Sequence, residues 1–90
     1  MGMKRTRSLS QPKNAIGKRV RQARLLLSPR VSQEDLSGKL AALGVQITQT
    51  GISKIESGAR YVMDYEAQAI ARALKVSVAW LFEESKPPSR

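Results

Sequence analysis

Ninety residues at 41% hydrophobic content make one small domain, with apolar side chains for a modest core and not for two. Cysteine and histidine are both absent, which excludes a disulfide framework, a thiolate metal site, a cysteine nucleophile and the usual general base. The formal charge of +9 is concentrated at one end: residues 1–30 hold Lys4, Arg5, Arg7, Lys13, Lys18, Arg19, Arg21, Arg24 and Arg30 and no acid, while bases and acids balance from residue 31 onward.

Such asymmetry points to a polyanion, either nucleic acid or an anionic membrane surface; a basic tail that only solubilises the chain is the competing reading. The seven carboxylates form no close group suited to metal binding or acid–base chemistry, so neither an enzyme nor a cofactor is expected. No apolar run reaches the ~18 residues of a membrane span, and the basic start is not followed by the apolar stretch of a signal peptide. "MGMKRT" fits a loose myristoylation pattern that very few residues define. The expected location is the cytoplasm, on the nucleoid.

Residues 1–13, "MGMKRTRSLSQPK", lack periodicity, contain Pro12 and read as a disordered basic arm. Asn14 is a suitable N-cap for a first helix reaching about Leu27, with Ile16, Val20, Ala23 and Leu27 as its buried stripe and Lys18, Arg19, Arg21 and Gln22 facing away. Pro29 stops it by disfavouring helical geometry at Ser28. Ser32 caps a second helix whose first turn holds Glu34 and Asp35; its stripe is Leu36, Leu40 and Leu43, and Gly44 ends it.

Thr48 caps a third helix, Gln49 to about Ser57, closed by Gly58. Its apolar side is only Ile52 and Ile55, and the rest is Gln, Thr, Ser and Lys. Asp64 opens a fourth helix that buries Ala67, Ile70, Ala71 and Leu74. Ser77 caps a short fifth, "VAWLFEE", anchored by Trp80 and Leu81, and residues 85–90 read as a flexible tail. Five helices without a strand pattern predict an all-α, five-helix bundle over residues 14–84.

Two stripes carry a charge. Arg24 follows Val20 by four and Ala23 by one; Glu56 stands in the same relation to Ile52 and Ile55. A charge on an apolar face needs a partner, and the simplest pairing is Arg24 with Glu56, a structural ion pair.

At this point a family resemblance emerges. "SQEDLSGKL", a turn with glycine and "TQTGISKIESG" resemble the helix-turn-helix of the lambda repressor and Cro type, the XRE family, here over about residues 32–57. "IGKRVRQAR" before and "IARALKVSVAWLF" after extend the likeness to about residues 15–83.

The resemblance implies a lambda-repressor-like DNA-binding domain whose third helix lies in the major groove of double-stranded DNA. Gln49, Thr50, Ser53 and Lys54 would then meet base edges, with a Gln49 amide able to pair bidentately with adenine. Gly51 would leave bare backbone open to the DNA. Gln33 matches the position that contacts a phosphate and braces the first recognition residue, and Thr48, Arg60 and Tyr61 fall at further phosphate positions. Tyr61 could equally pack on the core. Lys4, Arg5 and Arg7 resemble basic extensions that embrace DNA and add salt-dependent affinity, or else belong to an unmatched tail.

The likeness further implies a transcriptional regulator, a repressor from a bacterium or phage, acting as a homodimer on a near-palindromic operator. Trp80, Leu81 and Phe82, consecutive and unable to face one core together, are the expected dimer surface. A DNA-binding antitoxin and a protein-bridging adaptor of the same fold are the alternatives. The segment "AALGVQI" between the second and third helices is longer than the family's tight turn, as is "LLLSPRVSQ" before the second.

Overall fold

The structure, a computed structural model, describes residues 11–83. Among these there are five helices and no strand: α1 (Gly17–Leu26), α2 (Gln33–Ala42), α3 (Gln49–Ser57), α4 (Asp64–Leu74) and α5 (Val78–Leu81). Lys4, Arg5, Arg7 and the segment 84–90 lie outside the described residues.

Local chemistry sets most boundaries. The Ser32 hydroxyl accepts from the Asp35 N–H while the Asp35 carboxylate accepts from the Ser32 N–H, a reciprocal cap at the start of α2. The Thr48 hydroxyl accepts from the Gly51 N–H and opens α3; Gly58, at φ +82°, closes it in the left-handed region that glycine enters at no steric cost. Ser77 caps α5 through the Trp80 N–H.

α1 begins three residues beyond the expected cap. Asn14 nevertheless organises its approach: Oδ1 accepts from the Ile16 and Gly17 N–H groups at 3.0 and 2.7 Å, and Nδ2 donates to the carbonyls of Ile55 and Arg60. One side chain thus fixes the entry to α1 against the exit from α3.

The core is aliphatic. Ile16, Val20, Leu36, Leu40, Ile52, Ile55, Ile70, Leu74 and Leu81 are fully buried, with small Ala23, Ala67 and Ala71 allowing the helices to approach. α1 packs on α3, α4 and α5, and α2 packs on α3 and α4. Leu27 and Leu43, expected in the stripes, are only partly covered: each falls on the residue that ends its helix, where the chain turns away from the interior.

Two other expectations change. Residues 12 and 13 belong to the folded body, since the Lys13 N–H donates to the Gly58 carbonyl at 2.8 Å and Pro12 lies against Gly58. α5 stops at Leu81, shorter than the segment expected from 78 to 84.

The long connection between α2 and α3 is pinned rather than loose. Gly44, at φ +85°, reverses the chain, and the Val45 N–H returns to the Leu40 carbonyl. Ile47 is buried, and the Ser37 hydroxyl donates to its carbonyl at 2.6 Å. These contacts set where α3 begins.

Candidate nucleic-acid interface

Successive residues of a helix are about 100° apart, which divides α3 sharply. Ile52 and Ile55 are fully buried against the core. Thr50, Ser53, Lys54 and Ser57 fall on the opposite side, with Gln49 on its flank in the first turn, and all five are exposed. No exposed carboxylate shares that side. It is a row of amide, hydroxyl and ammonium groups, able to donate to and accept from a polar ligand and electrostatically suited to an anionic one.

What holds this row in place is charged and buried. Arg24 and Glu56, whose side chains are 8% and 5% exposed, meet in a fork: Nε donates to Oε2 at 2.6 Å and Nη2 to Oε1 at 2.9 Å. The remaining guanidinium nitrogen donates to the Val31 carbonyl at 2.8 Å. The Glu56 hydrogen bond, opposed by burial, raises the Arg24 pKa above its ordinary value. Gln33 joins the pair, its amide donating to Glu56 Oε1 at 3.1 Å. α1, the loop before α2, the first turn of α2 and the end of α3 are therefore joined through one ion pair.

That geometry revises the role expected for Gln33. Its amide is directed at Glu56 and not at Gln49, so it braces the helix rather than the first recognition residue. At the start of α2, the Asp35 carboxylate also occupies one of the backbone donors a phosphate would have used.

Gly51 lies on the flank of α3. A Cβ there would meet Ile47 Cγ2 at 2.9 Å and the Thr48 hydroxyl at 3.5 Å, with Arg60 Nε at 3.8 Å. The glycine makes room for the chain's own turn, which replaces the expectation that it exposes backbone to DNA.

Arg60 also departs from expectation. Its guanidinium is held inside the chain by Glu66, Nη1 to Oε1 at 3.0 Å and Nη2 to Oε2 at 3.1 Å, and by the Tyr61 carbonyl at 2.9 Å. Glu66 accepts the Met63 N–H as well, capping α4. Arg60 is thereby a strut of the loop after α3, with its side chain 31% exposed.

Tyr61, by contrast, is 69% exposed and does not pack on the core; the Lys13 ammonium sits 5.6 Å from its ring centre. Lys13 was not expected at the site. A basic residue directly before a helix cap was the available signal, but only the fold brings it beside Tyr61.

The Arg60–Glu66 pair carries a pH dependence. The Arg60 hydrogen bonds, chiefly, hold the Glu66 pKa below the ordinary carboxylate value. A lowered folded-state pKa adds stability above the unfolded value and loses it as pH falls through the folded one. Glu66→Gln should therefore flatten the fall in thermal midpoint below the ordinary glutamate range, measured by circular dichroism against the parent chain.

At the expected dimer surface, Leu81 is fully buried in its own chain, which removes it from any surface offered to a second copy. Trp80 is half-buried, with the Arg19 guanidinium stacked 4.4 Å from its ring centre. Phe82, 49% exposed, projects away, on the same side as Val78.

Among the described residues no cluster of potential metal ligands occurs, and no helix is long and apolar enough to cross a membrane. Neither a curated protein nor a solved structure matches the chain. A family model, helix-turn-helix, does match, over residues 20–81, from the middle of α1 to the end of α5. With capped α2 and α3 inside that match and a polar side of α3 left open, the chain belongs to the helix-turn-helix DNA-binding regulators of the XRE family.

Proposed function

We propose that this chain is a sequence-specific repressor that reads the major groove of double-stranded DNA with the polar side of α3. The observation that carries the reading is the exposed row Gln49, Thr50, Ser53 and Lys54 on a helix whose other side is locked by Ile52, Ile55 and Glu56. Gln49 and Thr50, in the first turn, supply base-edge hydrogen bonds. Ser53 and Lys54, one turn on, meet bases or flanking phosphates.

Thr48, Gln33 and Tyr61 flank the groove, and Lys4, Arg5 and Arg7 add sequence-independent affinity. Two copies on a near-palindromic site place their α3 helices one turn of DNA, about 34 Å, apart. The outward side of α5 and its C-terminal cap, Val78 and Phe82, is the surface that brings them together. A bound pair then represses by excluding other proteins from the duplex it covers.

On a site enriched from random duplexes, Gln49→Ala is expected to cost about 1–3 kcal/mol and to relax preference at one base pair. Lys54→Ala should weaken binding to all sequences alike and lower the slope of log affinity against log salt by about one. Unchanged affinity and preference in Gln49→Ala would remove α3 from the recognition role.

A further inference from the structure

An apolar groove lies away from α3. It runs for about 430 Å³ between the end of α1, the α4–α5 junction and α5, floored by Leu27, Leu74, Val76 and Trp80. Leu26 stands on its lip at 69% exposure, and Lys75, itself exposed, forms the far edge. Across Leu26 a second hollow of about 330 Å³ is bordered by Lys18, Arg21 and Leu25. An unpaired leucine crest between two hollows is a feature the folded chain does not need for its own core.

We propose that this face docks an acidic amphipathic segment of another protein, its large apolar side chains astride Leu26 and its carboxylates against Lys18, Arg21 and Lys75. Charge selects the occupant. None of those three cations has a carboxylate within ion-pair distance among the described residues. Among the described residues, Glu83 is already engaged by Arg19 at 3.4 Å, and Glu56, which borders the second hollow, is locked to Arg24.

A second copy of the same face would set these lysines and arginines against their own counterparts. A nucleic acid matches the charge but not a floor of leucine, valine and tryptophan. A small ligand needs walls that close over it, whereas the crest here is open. The ends of this chain do not fit either: residues 1–10 carry bases without acids, and residues 84–90 contain no large apolar side chain. No residue of the polar side of α3 lines either hollow, and Glu56, which borders the second, is locked to Arg24, so the docked segment and the duplex do not compete for the same side chains.

Trp80 is the sole tryptophan, so its emission reports on the groove alone. The probe is a synthetic helical peptide with leucines at i, i+3, i+4 and i+7 and glutamates elsewhere, titrated into the full chain beside an analogue with lysine for glutamate. The glutamate peptide should shift Trp80 emission saturably and bind at least about tenfold more tightly than the lysine analogue. Leu26→Asp, at a surface position and with an unchanged melting curve, should weaken it by about tenfold or more. Lys75→Asn, which suits the left-handed backbone at that residue (φ +62°), should weaken it less.

Equal binding of the two peptides, or no response of Trp80 to either, overturns the proposal. So does sedimentation showing that the chain self-associates and that Leu26→Asp abolishes the association, which would make a second copy the occupant.

Discussion

Glu56→Ala is expected to lower the unfolding free energy by roughly 3–5 kcal/mol, the largest loss of any single substitution outside the aliphatic core. The size comes from what is left behind. Arg24, 8% exposed at its side chain, would keep a guanidinium with only the Val31 carbonyl to satisfy it, and the Gln33 amide would lose its acceptor. Stranding a buried charge costs far more than the pair contributes against a well-packed apolar replacement.

The double variant Arg24→Met, Glu56→Leu should therefore be more stable than Glu56→Ala alone. Urea unfolding followed by circular dichroism measures both midpoints. A Glu56→Ala loss within about 0.5 kcal/mol, the range of an ordinary surface change, would mean that the network does not hold α3.

Gly17→Ala should be destabilising as well, at about 1–3 kcal/mol. An alanine in a helix is ordinarily better than glycine by about 1 kcal/mol, so the expected sign is the reverse of the propensity scale. The reason is contact. A Cβ on Gly17 would collide with the main-chain oxygens of Ile55 and Glu56, and backbone cannot swing aside as a side-chain tip can. α1 and α3 would have to separate, opening the Asn14 bridge between them.

Gly38 supplies the control. It is exposed in the middle of α2 with nothing within 4 Å of an added Cβ, so Gly38→Ala should stabilise by roughly 0.5–1 kcal/mol. Opposite signs at two helical glycines would isolate the close approach as the cause.

The parts legible in the sequence are those decided locally. Ser32, Thr48, Ser77 and Gly58 place helix ends because each satisfies or frees a backbone group within a few residues of itself. The Arg24–Glu56 pair was legible for another reason: periodicity exposed each as a charge beside an apolar stripe, and two opposite orphans imply one another.

Tertiary placement hid the rest. Whether Arg60 meets a phosphate or Glu66 depends on the loop that folds six residues back on itself, and nothing in "ARYVMDYE" states which. Gly17 and Gly51 look like poor helix residues until the neighbouring chain, a carbonyl in one case and Ile47 in the other, occupies the place of the missing Cβ. Leu27 and Leu43 fit apolar periodicities that outlast their helices, since the 3.6-residue repeat does not say where a helix stops.

The polar side of α3 is the centre of the account, and it can be watched directly. A uniformly labelled chain titrated with a duplex enriched from random sequence should shift the backbone amides of Gln49 to Lys54 and the Gln49 side-chain amide, and should slow their hydrogen exchange. Amides of α5 should move only if a second copy arrives. Unmoved resonances from Gln49 to Lys54, with changes confined to another surface, would contradict the assignment of α3 as the helix that reads DNA.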